Sequence, residues 1–175
     1  MEGESIRRLG STEFVVWRSH GLPGALDALI VPEDTYLCLQ AVTEELDPNA
    51  TPLDLWAAVE RAARVEKRAL GSVVITDGKR KGVKYIASVI VCDFEAETIC
   101  HKEVVRVGLY DALSELAAHD CKTIGVLPLG TMQGGVSEEE YFAALDVIVR
   151  DAGGEPPRTL YLLGQDWAPR EETDA

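Results

Sequence analysis

Short runs of β-branched and aliphatic residues alternate with amphipathic stretches between about residue 12 and residue 163, and that alternation leaves few architectures open. Strands separated by helices pair in parallel through crossover connections, so the ordering predicts an α/β domain. Strands are predicted at residues 13–17, 26–31, 72–76, 85–91, 123–127 and 159–163. Several are unbroken apolar runs, the pattern of strands covered on both faces.

The helices carry sharper marks. Thr51, Pro52 and Asp54 supply a cap, a first-turn proline and a first-turn acid, and Leu53, Trp56, Val59 and Ala63 repeat at helical spacing, predicting a helix to about Arg68. Val105, Leu109, Ala112, Leu113 and Leu116 form one apolar stripe of another helix, with Asp111, Glu115 and Asp120 on its polar side. A further helix begins at Ser137, where Glu140 completes a capping box and Tyr141, Ala144, Leu145 and Ile148 face inward. Gly153 and Gly154 end it, and Pro156 and Pro157 keep it from resuming.

One domain accounts for 175 residues, with residues 1–11 read as an amino-terminal tail, 12–163 as the domain and 164–175 as an acidic tail. A net charge of −13 repels phosphate backbones and anionic membranes, which argues against nucleic acid and membrane partners. Cys38, Cys92, Cys100 and Cys121 show no paired spacing, and the start of the chain lacks a basic, apolar leader. Both features predict free thiols and a cytoplasmic location. His101 beside Cys100, and His119 near Cys121, lack metal-ligand spacing and are placed at helix ends, so no metal and no cofactor are expected.

The chemistry concentrates where the strand at 123–127 runs through Pro128, Leu129, Gly130, Thr131, Met132, Gln133, Gly134, Gly135 and Val136 into the capped helix. Glycines let main-chain amides approach an anion without a Cβ between, and a helix start adds unpaired N–H groups. Three glycines that merely turn the chain give the same layout. The loop is neither a P-loop nor a Rossmann fingerprint.

The run from Cys121 to Glu140 resembles the macro-domain segment in which a strand enters P-x-L-G-T-G-x-G-G and then a helix. Residues 26–31 (LDALIV), 70–76 (LGSVVIT) and 84–91 (KYIASVIV) resemble, in order, the family's V-D-A-I-V, G-x-A-V-x-T and K-Y-I-I-H-V-V strands. The resemblance covers about residues 12–163. It implies a three-layer α/β/α fold with a mixed sheet of about six strands, a cleft formed by the loops after Val31 and Leu127, and ADP-ribose or a related nucleotide as ligand.

Departures from the family are equally specific. Pro32, Glu33, Asp34 and Thr35 stand where the family has N-A-A-N, and no glycine occurs between Tyr36 and Pro52, where it has G-G-G-V. Ser19 and His20 fall near the family's adenine-contacting acid, and Met132 replaces a loop glycine. These departures favour a noncatalytic binding module using Pro32, Asp34, Pro128 and residues 130–136. Two alternatives remain: a filled cleft serving a protein partner or a second copy of the chain, and an ADP-ribosyl hydrolase with a site rebuilt from Asp34, Thr35 and Gln133. Glu33 and Asp34 are otherwise read as solvated turn acids, Cys38 as an inert thiol, and Lys79, Arg80 and Lys81 as a hairpin turn able to contact an acidic partner or phosphate. Trp17, Trp56 and Trp167 are read as packing anchors.

Overall fold

Burial of alternate residues on two faces organises this chain. The structure, a computed structural model, describes residues 3–18, 21–37, 66–93, 95–96, 100–130, 136–151 and 155–163. Its strands are β1 (Glu4–Leu9), β2 (Thr12–Trp17), β3 (Ala28–Asp34), β4 (Val73–Asp77), β5 (Tyr85–Cys92), β6 (Thr123–Val126) and β7 (Thr159–Leu163). Two helices are described, α1 (Lys102–Ala118) and α2 (Glu138–Asp151).

One sheet contains all seven strands in the order β1-β2-β7-β6-β3-β5-β4. The five inner strands run parallel, and β1 and β4 join antiparallel at the two edges. The sheet is therefore mixed, as the family resemblance implied.

The larger core lies between the sheet and both helices, where Ala28 and Ile30 of β3, Ala87, Val89 and Val91 of β5, and Leu160 and Leu162 of β7 meet Leu109, Leu113, Tyr141 and Leu145. Intervening residues Leu29, Val31, Ile86 and Leu163 bury on the opposite face with Trp17 and Tyr161 packed against them. This two-sided burial explains the unbroken apolar runs. The α1 stripe is the one read from spacing, with Val105, Leu109, Ala112, Leu113 and Leu116 all buried. Gly108 completes it: a Cβ there would sit 2.2 Å from Val89 Cγ1, so the bare glycine sets how closely α1 approaches β5.

Several boundaries differ from the sequence reading. The segment 1–11 is not wholly a tail, because β1 pairs with β2 and places Ile6 and Leu9 against the core. Its charges, Glu4, Arg7 and Arg8, hide an edge strand that has only one buried face. β3 does not stop at Val31 but continues to Asp34, since β5 goes on pairing with it. Residues 66–68, the expected end of the first helix, are not helical; the Arg68 amide donates to the Thr35 carbonyl at 2.7 Å instead. The rest of that helix, with Trp56, lies outside the described residues, as do Gly153, Gly154 and residues 164–175 with Trp167.

At the amino ends of the inner strands one carboxylate acts as a staple. Asp27 accepts the main-chain N–H of Lys122 at 2.9 Å and of Thr123 at 3.0 Å, and the Lys84 ammonium at 2.7 Å, tying β3 to the starts of β5 and β6. Burial pushes its carboxyl up, but these three donors outweigh burial and hold it below the usual carboxylate range.

Two tests follow from this packing. Gly108→Ala is expected to lower stability by about 1–2 kcal/mol despite alanine's better helix propensity, and adding Val89→Ala to the same chain should show a favourable coupling in urea unfolding. A depressed carboxyl contributes stability above its unfolded pKa, and that contribution is lost as pH falls through the folded value. Asp27→Ala should therefore cost about 1.5–3 kcal/mol near neutrality, and the difference from the parent should shrink below about pH 4 in unfolding curves measured across pH.

Candidate functional site

Neighbouring strands β3 and β6 part company at their carboxyl ends, and a proline lies at the fork. Their ladder runs through Ala28↔Ile124, Leu29↔Gly125 and Ile30↔Val126, and ends with the Leu127 amide donating to the Ile30 carbonyl at 3.0 Å. The next rung needs an N–H from residue 32, and Pro32 has none. The Leu127 carbonyl instead accepts the Tyr141 hydroxyl of α2 at 3.3 Å. Tyr141 is fully buried, and burial pushes its phenol far up, so it stays a neutral donor.

The fork is also where the connections diverge. After β3 the chain crosses to β4 and β5 on one side, while after β6 it passes through α2 to β7 on the other. In parallel sheets this topological switch leaves a crevice beyond the strand ends, the usual place for a ligand.

Beyond β6 the chain turns through Pro128, half-buried, and Leu129, fully buried, to Gly130, which has φ +75°. A Cβ on Gly130 would lie 2.8 Å from Cys100 Sγ, 2.9 Å from Val105 Cγ2 and 3.1 Å from Val136 Cγ2. Glycine is needed here both for the left-handed backbone and for contact with the core. The same distances bring residues 130 and 136 together, so the loop between them leaves and returns at one point. Thr131, Met132, Gln133, Gly134 and Gly135 lie outside the described residues.

Val136 is buried, and the capping box forms as read: the Ser137 amide donates to Glu140 Oε2 at 3.1 Å while the Glu140 amide donates to Ser137 Oγ at 3.2 Å. The Ser137 amide is the main reason the Glu140 carboxyl sits below its ordinary value.

On the β3 side, Pro32 is half-buried, whereas Glu33, Asp34 and Thr35 are only 0%, 2% and 1% exposed. The expectation of solvated turn acids is thus corrected. Continued pairing with β5 carries both acids inside, where Asp34 Oδ1 accepts the Tyr36 amide at 2.7 Å and Glu33 Oε1 accepts the Asp34 amide at 3.2 Å. Cys92 Sγ donates to the Glu33 carbonyl at 3.7 Å. Cys92 forms an isolated antiparallel bridge with Cys100, and burial pushes the Cys92 thiol up to about 12. Cys92, Cys100 and Cys121 are buried free thiols, while Cys38 lies outside the described residues.

A second cluster at this end of the sheet escaped the sequence reading. Lys67 Nζ lies 2.8 Å from Asp93 and 2.9 Å from Glu95, and Glu95 also accepts the Tyr36 hydroxyl at 3.0 Å. Asp93 first, and Glu95 with it, hold the Lys67 ammonium well above the usual lysine range. With the Arg68 to Thr35 bond, this clamp fixes both flanks of residues 38–65 to the carboxyl ends of β3 and β5. Its members lie far apart in the chain, and no local pattern announces them.

The remaining candidates fall elsewhere. His101 caps the start of α1 and His119 its end, as read. Residues 79–81 form a 3-10 turn between β4 and β5, as the hairpin reading required. Trp17 packs edge-on to Tyr161 at 6.1 Å. Ser19 and His20 lie outside the described residues. Among the described residues no helix is long and apolar enough to cross a membrane, and no group of three His, Cys, Asp or Glu is placed to hold a metal ion.

The fork gives a direct test. Tyr141→Phe is expected to cost about 1 kcal/mol, and Gly130→Ala more than that, in thermal unfolding. The amide exchange of Val136 and Ser137 should speed up in both variants.

No protein-family model matches the sequence, and no curated protein matches it. Solved structures do. A variant of the Oceanobacillus iheyensis macrodomain superposes with a TM-score of 0.64 at 16% identity, covering 93% of this chain and 87% of its own. The same macrodomain with ADP gives 0.61 at 16% identity, over 89% and 84%. The Trypanosoma brucei macrodomain in complex with ADP-ribose gives 0.54 at 18% identity, over 86% of this chain and 63% of its own. Together with the strand order, the fork and the capped helix, these likenesses show that the chain has the macrodomain fold in a divergent form.

Proposed function

We propose that the protein is a macro-like binding module that takes ADP-ribose or a related nucleotide and holds one of its phosphates on main-chain amides of residues 130–136. The single observation that carries this reading is the fork between β3 and β6, with Gly130 and Val136, the two residues that bound the glycine loop, seated together in the core beside it. Such a loop can aim several amides at one oxygen cluster without any cationic side chain, which suits a chain of net charge −13. Solved macrodomains of the same fold include complexes with ADP and with ADP-ribose.

The module binds without turning its ligand over. Asp34, one of two acids standing where the family has N-A-A-N, is 2% exposed, and its Oδ1 accepts the Tyr36 amide. That engagement suits a turn-forming acid better than a base waiting for substrate.

Calorimetric titration with ADP-ribose, ADP, AMP and NAD tests the proposal. ADP-ribose is expected to bind one to one, and Gly134→Glu to weaken it at least about ten-fold by placing a like charge beside the phosphate, with the melting temperature unchanged. Silence for all four nucleotides would remove the nucleotide reading. Release of ADP-ribose from a modified peptide, abolished in Asp34→Ala, would replace the binding module with a hydrolase.

A further inference from the structure

The two edges of the sheet are built differently. At β1 a bulge between Ser5 and Arg7 distorts the edge, and Arg7 is drawn to Asp146 of α2 at 2.6 Å. Bulges and edge charges are the ordinary guards against a further strand. β4, at the opposite edge, pairs with β5 without a bulge from Val73 to Asp77 and contains no proline.

The ladder fixes which way its backbone points. The Ile90 amide donates to the Ser72 carbonyl at 3.0 Å and the Gly78 amide to the Lys84 carbonyl at 3.1 Å. Residues 72 and 78 therefore face β5, and by the two-residue alternation Val74 and Thr76 do too. Val73, Ile75 and Asp77 turn their N–H and C=O groups outward, where no described strand pairs with them.

Charge gathers around this edge. Residues 66–84 hold six of the chain's 17 Lys and Arg; Lys67 is engaged by Asp93 and Glu95, Lys84 by Asp27 and Lys79 by Asp77 at 2.8 Å, while Arg68 before the strand and Arg80 and Lys81 after it add positive charge at its two ends in a protein whose net charge is −13. Arg68 lies exposed before the strand, and Lys79 and Lys81 lie exposed after it.

Apolar surface flanks the same edge. Leu70, Val107 and Tyr110 are exposed, and a Cβ on Gly71, just before β4, would stand 3.6 Å from Val107. At the far end of β4 an open groove of about 640 Å³ is lined by Ile75, Asp77, Lys79, Tyr85 and His119, the last two rings stacked 4.6 Å apart.

From this juxtaposition we infer that β4 is a docking edge for an extended acidic segment of a partner protein. The segment adds as an eighth strand, antiparallel or parallel to β4, and bonds to the outward groups of Val73, Ile75 and Asp77. Acidic residues at its two ends meet Arg68 on one side and Lys79 with Lys81 on the other, while an aliphatic side chain enters the groove beside Ile75. The charge asymmetry selects this occupant over a second copy of the chain, whose own basic hairpin would be brought toward Arg68. The edge is distinct from the fork between β3 and β6, and the inference does not depend on nucleotide binding.

The test uses the full chain and a fluorescein-labelled synthetic peptide, Glu-Glu-Val-Thr-Val-Thr-Val-Glu-Glu, beside its counterpart with every Glu replaced by Lys. Fluorescence anisotropy is expected to show the acidic peptide binding at least about ten-fold more tightly than the lysine peptide, with the difference shrinking at high salt. Amide exchange at Val73 and Ile75 should slow when the acidic peptide is added, while Val74 and Thr76 are already protected. Ile75→Pro deletes one outward donor and spares the β4–β5 hydrogen bonds, so it should abolish binding, with a lower melting temperature because Ile75 also packs on the core. Should that variant fail to fold, Lys79→Glu combined with Lys81→Glu is expected to invert the preference between the two peptides. Equal binding of both peptides, unchanged exchange at Ile75, or a dimer in sedimentation that protects these same amides would each overturn the inference.

Discussion

A missing hydrogen-bond donor at Pro32 sets the geometry on which the rest of this molecule turns. Parallel strands stay together as long as each rung can be made, and here the rung after Ile30 cannot be. β6 leaves the sheet, its Leu127 carbonyl is met by Tyr141, and α2 is thereby anchored beneath the departing chain. Meanwhile β3 continues with β5 to Asp34. The fork between two strands, and the buried tyrosine that ties the following helix to it, are consequences of one imino acid between two apolar runs.

Much of this was legible in the sequence because it is local or periodic. Strands buried on both faces announce themselves as apolar runs, and the stripe Val105, Leu109, Ala112, Leu113, Leu116 reads as a helix face before any packing is known. The capping box of Ser137 and Glu140 spans three residues and survives intact. Local chemistry misleads where burial overrides it. Pro32, Glu33 and Asp34 look like a turn, yet β5 holds them in a strand and takes both acids inside. β1 was hidden by its charges, since an edge strand needs few apolar residues.

Contacts between distant positions were not legible at all. Nothing near Gly130 says that Cys100 and Val105 will lie against it, and nothing near Lys67 points to Asp93 and Glu95. The family resemblance implied the mixed sheet, because collinear motifs carry topology. It could not supply what replaces the lost asparagines. That depends on side chains brought in by β5 and by the segment around Lys67, which the motifs do not include.

The clamp at the carboxyl ends of β3 and β5 has a broader meaning. Tyr36 and Thr35 on one flank, and Lys67 and Arg68 on the other, are held within a few ångströms of each other, like the two sides of a ring setting. Closing a loop on fixed ends costs only slightly more as it lengthens. The two flanks therefore work as paired end points: evolution, or an engineer, can join them by a segment of another length and chemistry while the sheet and its fork keep their form.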